Sequence, residues 1–288
     1  MISSCPLEIQ KQIIQELSPI DRFHYSLANK RANADVLSFN RHTFRIRRLL
    51  LRYFDTIPDV AQFRFLQHQT GMLISGSAAL QFFDDTVYPG SDLDLYVNVG
   101  KAQLVMKFLV ERGFTFQPGK KQPGNWEQAL SEALEVGSSD NEDKTPGGDS
   151  DDEAQDEWDG YPVTKDIVGV FNFVNRGKIV QIIASRQSPM GVILKFHSTC
   201  VMNVISHSHA YSLYPHETFV DRVSVCTRWD KCGYIINPAC DKYFHRGWKT
   251  VELPSAKAYF RPNSIYQNRA RFVGDSGCWT IPLEPLYD

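Results

Sequence analysis

The chain has 288 residues, 42% hydrophobic and 12% aromatic, with a net charge of −2, enough apolar material for one large or two modest packed domains. No apolar run reaches the length of a membrane span and the opening MISSCPLEIQ lacks a signal-peptide pattern, so neither a membrane span nor a signal peptide is expected. The six cysteines, at 5, 200, 226, 232, 240 and 278, form no close pairs, so reduced thiols in the cytoplasm or nucleus are expected and not a disulfide framework.

Residues 1–40 read as helical. Pro6 stands near a helix start, and Leu7, Ile9, Ile13, Ile14 and Leu17 follow at mostly helical spacing. Ser18-Pro19-Ile20-Asp21 restarts a helix through Phe23-His24-Tyr25-Ser26-Leu27-Ala28. A plain helical pair packed on the next domain would give the same pattern. The run Cys5-Pro6-Leu7-Glu8-Ile9, the Ile-Ile-x-x-Leu ending and Ser-Leu-Ala-Asn-Lys resemble an F-box, with Cys5 where that family usually has Leu. The resemblance implies a Skp-type adaptor as partner, and through it a cullin ubiquitin ligase.

Residues 41–70 read as basic connecting helices. RHTFRIRRLLLRYF sets Arg41, Arg45, Arg47, Arg48 and Arg52 beside Phe44, Ile46, Leu49, Leu50 and Tyr53, an amphipathic helix over 41–54. A basic helix admits nucleic acid as a partner. An arginine-coated solvent face is the favoured reading.

Residues 71–206 carry the chemistry. In LISGSAALQFFDDTVYPGSDLDLYVNV, residues 73–99, a short apolar run ends in Gly76-Ser77, an apolar helical segment follows, and a strand then bears Asp92 and Asp94. Side chains at i and i+2 of a strand point the same way, so the two carboxylates project together. Such a pair repels unless a cation or a proton sits between its members, and oxygen ligands at this spacing suit Mg²⁺. Free N–H groups where Gly76-Ser77 opens a helix suit a phosphate. A surface turn with two exposed Asp residues is the alternative.

This constellation resembles the nucleotidyltransferase superfamily, the fold of DNA polymerase β, over residues 70–205. The 14 residues between Ser77 and Asp92 make a spacer slightly longer than usual. The resemblance implies that Asp92 and Asp94 are catalytic and hold Mg²⁺, and that Gly76 and Ser77 bind a nucleoside triphosphate. It also implies a third carboxylate on a neighbouring strand. The expected strand, Lys178–Ile183, pairs with 167–174 across Asn175-Arg176-Gly177 and offers Gln181 where the acid would fit. An amide brings no charge. Asp166 is the substitute the sequence offers. Farther on, Phe196-His197-Ser198-Thr199-Cys200-Val201-Met202-Asn203 follows a Pro-initiated helix into an expected strand. It resembles a segment of fungal and viral transferase-like proteins in which Asp stands where this chain has His197, and the run as it stands resembles a large set of basidiomycete fungal proteins.

Within this domain, residues 137–159 hold ten acids and one Lys, a local charge of −9 that leaves +7 for the rest of the chain. Residues 137–160 are therefore expected to be a disordered acidic insertion. Residues 207–288 form an aromatic-rich wrap around Trp229, Trp248 and Trp279. Cys226, Cys232, Cys240 and His245 lack zinc-motif spacing. No P-loop, dinucleotide fingerprint or Ser/His/Asp elbow occurs.

The expected fold is α+β: a nucleotidyltransferase-like mixed β-sheet with flanking helices, preceded by a short F-box-like helical unit. Two functions follow from the resemblances. One is a ligase substrate adaptor whose transferase fold, degenerate in catalysis, still binds Mg-nucleotide. The other is an active Mg²⁺-dependent transferase moving a nucleoside monophosphate to a hydroxyl.

Overall fold

The computed structural model describes residues 5–139, 157–158, 161–162, 166–227, 238–261, 264–267 and 270–285. The chain is mixed α and β with flanking helices, and forms two compact units. One comprises Leu50–Ala78 and Tyr88–Leu194; the other comprises Met1–Leu49, Ala79–Val87 and Lys195–Asp288. None of the described helices is long and apolar enough to cross a membrane.

The chain opens with three helices, α1 (Leu7–Glu16), α2 (Pro19–Ala28) and α3 (Lys30–Thr43), and not with a pair. Ser18 caps α2 by accepting from the Asp21 N–H, and Asn29 caps α3 by accepting from the Ala32 N–H. The single helix expected over 41–54 is broken. Phe44 leaves helical geometry at φ −94° and ψ 69°, and α4 (Ile46–Leu50) starts afresh. The reason is tertiary: the Phe44 ring is buried among Phe39, Phe82 and Trp279, and that burial outweighs continuing the helix.

Helix α5 (Ile57–Thr70) is capped by Thr56, whose side chain accepts from the Asp59 N–H, and ends at Gly71 in the left-handed region. Then come β1 (Leu73–Ser75), α6 (Gly76–Asp84), β2 (Leu93–Asn98), α7 (Val99–Glu111), β3 (Thr115–Gln117) and α8 (Trp126–Ser139). The acidic insertion expected at 137–160 lies mainly outside the described residues. Its first three residues end α8, and β4 (Glu157–Trp158) pairs with β5 (Tyr161–Pro162).

Strands β6 (Ile167–Asn175) and β7 (Lys178–Ser185) make the expected hairpin, with a tighter turn than the sequence suggests. Asn175 pairs with Lys178, so the loop is Arg176-Gly177 alone, at φ 49° and 77°. Positive φ at both central positions gives the turn a twist that matches the strands. Within this unit the strand order is β1-β2-β7-β6-β3. Only β2 and β7 run parallel; the other pairs are antiparallel. Strand β2 is nearly all buried, as expected for a strand covered on both faces. Phe54, Phe63, Phe108 and Phe114 form an aromatic cluster in the same unit.

The remaining elements are α9 (Pro189–Ile193), a 3-10 turn at Thr199–Val201, β8 (Asn203–Ile205), β9 (His209–Ser212), α10 (Pro215–Phe219) and β10 (Val223–Val225). They are followed by α11 (Pro238–Phe244), β11 (Lys249–Val251), α12 (Ala256–Tyr259) and β12 (Trp279–Pro282). The strand expected through Phe196–Asn203 begins only at Asn203, because Thr199–Val201 turns on itself with Met202 N–H bonded to the Thr199 carbonyl. Strands β12, β9 and β8 lie side by side, antiparallel. Trp279 packs against Phe44, Phe83 and Phe219. Trp248 is fully buried and donates its indole N–H to the Thr218 carbonyl at 2.8 Å.

Candidate functional site

The register of the sheet brings the sequence-marked residues together. Antiparallel pairing of β1 with β2 sets Ser75 opposite Asp94, so Gly76, the next residue and the first of α6, lies beside Asp94. Gly76 sits at φ +63°. A Cβ built there would overlap Asp94 Oδ2 outright and come within 3.3 Å of Asp94 Cγ. Glycine at 76 thus meets two requirements at once: a left-handed backbone and room for a carboxylate. Asp94 is 8% exposed, and Gly76 and Ser77 are buried. Asp92 immediately precedes β2 and is half-buried.

Across the sheet, parallel pairing sets Gln181 beside Asp94, and antiparallel pairing sets Asn172 beside Gln181. Gln181, 6% exposed, donates its amide N–H to Asn172 Oδ1 at 2.8 Å. The position nearest to Asp94 on β7 is therefore an amide bonded to a second amide. Asp166 is not a substitute. Its carbonyl accepts from the Arg186 N–H at 2.8 Å, which sets it five positions along β7 from Gln181, about 16 Å at 3.3 Å per residue. His197 lies in the other unit, with its ring stacked on Tyr243 at 6.1 Å.

The sequence reading missed Tyr53. Its hydroxyl donates to the Ser91 carbonyl at 3.0 Å and the Asp92 carbonyl at 3.2 Å, fixing the backbone that carries Asp92. Burial pushes the Tyr53 phenol above its ordinary pKa, and the Asp94 and Asp92 charges push the same way, against the Ser91 hydrogen bond and Arg52. Arg52 donates to Ser91 Oγ at 3.1 Å. Contacts 38 and 39 residues apart leave no local sequence signal.

A cleft of about 300 Å³ in the same unit is lined by Tyr53, Phe54, Asp55, Asp59, Arg112 and Asn175, among others. Its charges are internally matched: Lys178 bonds Asp55 at 2.6 Å, and Arg112 reaches Asp59 at 3.3 Å and Glu111 at 3.0 Å.

Among the described residues, His216, Glu217 and Asp221 form a group whose ligand atoms lie within 4.8 Å of one another. It is far in sequence from Asp92 and Asp94 and already engages Arg261, which reaches Glu217 at 3.3 Å and Asp221 at 3.4 Å. His216 Nδ1 lies 3.2 Å from Asp221. Of Cys226, Cys232, Cys240 and His245, whose spacing argued against zinc, Cys232 lies outside the described residues.

No protein-family model, curated protein or solved structure matches this chain.

Two outcomes follow from the geometry. Gly76→Ala combines left-handed strain with overlap on Asp94 and lowers stability by roughly 2 kcal/mol or more. Asp94→Ala in the same chain removes the overlap and leaves the strain, so a double-mutant cycle in urea gives a favourable coupling of about 1–3 kcal/mol. Additive losses would show that the two residues do not touch.

The second outcome concerns alkaline pH. The Tyr53 phenol holds its proton more tightly folded than unfolded, so its contribution is fully present below about pH 10, the unfolded value. It is lost as pH rises beyond that, because the unfolded chain releases the proton first. Tyr53→Phe lowers neutral-pH stability by about 1 kcal/mol through the lost hydrogen bonds and makes the alkaline decline shallower. Chemical denaturation from pH 8 to 11 reads both; an unchanged slope would contradict the assignment.

Proposed function

We propose that this chain is a nucleotidyltransferase-like protein, degenerate in catalysis, that binds Mg-nucleotide and serves as an F-box-like adaptor toward a Skp-type partner. The observation that carries the first part is the meeting of the Asp94 carboxylate with Gly76 at the start of α6, with Gln181 in register beside it. The donor set fits magnesium: Asp92 and Asp94 are hard anionic oxygens, the kind Mg²⁺ prefers. Two carboxylates balance one divalent ion and not two. In this reading Asp92 and Asp94 hold the ion, and Gly76 and Ser77 face the phosphates. Bound there, Mg²⁺ would neutralise triphosphate charge. Gln181 withholds the third charge, and transfer is slow for that reason.

Calorimetric titration with nucleoside triphosphates, with and without Mg²⁺, tests this. Binding is expected only with Mg²⁺, and Asp94→Ala weakens it at least tenfold, about 1.4 kcal/mol. Gln181→Asp supplies the missing carboxylate and raises label transfer from nucleotide to a hydroxyl acceptor at least tenfold. Absence of binding with every nucleotide ends the reading. Transfer by the wild type at rates of about 1 s⁻¹ or more, typical of enzymes, would establish the active transferase instead.

The adaptor half rests on apolar residues left on the first helices: Ile9 is 43% exposed, Phe23 55% and Leu27 66%. Such surface commonly marks an interface. Ile14, by contrast, is 1% exposed and belongs to the chain's own core; the Leu7 side chain lies outside the described residues. Phe23→Asp and Leu27→Asp are therefore the informative changes. Each is expected to abolish capture of a purified Skp-type adaptor while leaving the thermal midpoint within about 2 °C, as surface substitutions do. Failure of the wild type to capture the adaptor ends this half and leaves the nucleotide half standing.

A further inference from the structure

Three cysteines far apart in sequence gather in the C-terminal part of the chain. Ser198 is the hinge of the arrangement. It forms an isolated antiparallel bridge with Cys226, and its hydroxyl lies 3.9 Å from Cys200 Sγ. Cys226 is further fixed by its N–H, which bonds the Val251 carbonyl of β11 at 2.8 Å. Helix α11 brings the third thiol. Tyr243 stacks on His197, the residue before Ser198, and Cys240 lies three positions before Tyr243, on the same helix face. The Cys226 and Cys240 side chains are hydrogen-bonded to each other. Both are half-buried and neither is in a disulfide, whereas Cys200 is fully buried.

Two chemistries are open to such a group, a soft metal ion or a disulfide. The metal requires three or four converging sulfurs. Among the described residues the only group with three ligand atoms within 4.8 Å of one another is His216, Glu217 and Asp221, and not the cysteines. The chemistry that remains uses two sulfurs.

We propose that Cys226 and Cys240 form a reversible disulfide when the protein meets a peroxide. The Cys226 sulfur attacks one peroxide oxygen and breaks the O–O bond, giving a sulfenic acid and one water. The Cys240 sulfur then attacks the Cys226 sulfur and releases the second water. Two thiols are oxidised, one peroxide is reduced, and each thiol proton ends in water. Burial, with the two neighbouring thiols, pushes the Cys240 thiol up to about 11, so Cys240 suits the second role, in which contact compensates for a small thiolate fraction. The link would tie the end of β10 to the start of α11 across 13 intervening residues, a cross-link that constrains the unfolded chain.

The test treats the full-length protein with a modest excess of hydrogen peroxide, quenches with an alkylating agent and reads intact mass and tryptic peptides. Cys232 shares a tryptic peptide with Cys240, so Cys232→Ser is run beside the wild type. Expected are two fewer alkyl groups in both proteins than in their untreated counterparts when each is alkylated unfolded, a Cys226–Cys240 linked peptide in Cys232→Ser, and a thermal midpoint raised by oxidation and restored by dithiothreitol. Cys226→Ser and Cys240→Ser are expected to take up the same number of alkyl groups with and without peroxide. A link that disappears in Cys232→Ser overturns the proposal. So does a gain of 16 or 32 Da on unlinked Cys226, or a disulfide between two chains.

Discussion

Asp94 can lie against Gly76 only because position 76 carries no side chain and its backbone adopts φ +63°. The rest of the sheet unit is arranged around that contact. It requires β1 to stop where Ser75 meets Asp94, and it fixes the side of β2 on which the carboxylate stands. Because side chains alternate along a strand, a slip of one residue would turn Asp94 to the opposite face and bring Leu93 or Leu95 to Gly76. The neighbours then follow. Parallel pairing with β7 selects Gln181, and the β6–β7 hairpin, closed by Arg176-Gly177, selects Asn172.

That row of three has an electrostatic consequence. A carboxylate at 181 would stand beside buried Asp94, and two like charges at that spacing repel unless a cation intervenes. A chain with acids at both places carries that cost whenever no ion is present. Gln181 removes it: its amide N–H is donated to Asn172 Oδ1 at 2.8 Å. Gln181 therefore spares the sheet a like-charge repulsion that an acid at this position would bring whenever no cation is bound. Tyr53 ties the Asp92 carbonyl to a segment 39 residues earlier and so fixes the backbone that bears this carboxylate.

Local patterns in the sequence identified the elements that such patterns control. The Gly76-Ser77 helix start, the apolar β2 strand and the β6–β7 hairpin depend on glycine placement and period-2 apolar runs, and they appear, with Asp92 just before β2 and the hairpin loop one residue shorter than read. The parts that escaped were decided at long range. Arg41–Phe54 has a sound helical period, yet Phe44 leaves the helix to reach Phe82 and Trp279. Thr199–Val201 is apolar enough for a strand, but its buried hydroxyl and backbone groups are used in tertiary bonds: Thr199 Oγ1 accepts from Val225 N–H, and Cys200 N–H bonds Ser224 Oγ. Asp166 looked near Gln181 because a hairpin joins their strands. The pairing runs so that Asp166 meets Arg186 instead. The convergence of Cys226 and Cys240 could not be read from their spacing, since it is set by Ser198 and Tyr243.

The N-terminal helices present a separate balance between what the chain buries and what it leaves outside. Arg22 of α2 donates to the Ile14 carbonyl at 2.9 Å and the Gln15 carbonyl at 2.8 Å, and its guanidinium lies 4.8 Å from the centre of the Phe39 ring of α3. One side chain thus satisfies carbonyls at the end of α1, which a helix terminus otherwise leaves open, and fastens all three helices together. Ile14, Ala32, Val36 and Phe39 supply the buried apolar contacts. Phe23 and Leu27 are not needed for that packing. They stand four residues apart on α2, hence on one face, and both remain more than half exposed. A single exposed apolar residue needs no explanation. A phenylalanine and a leucine side by side on a helix whose other face already holds its bundle together form an apolar patch that the described packing does not cover.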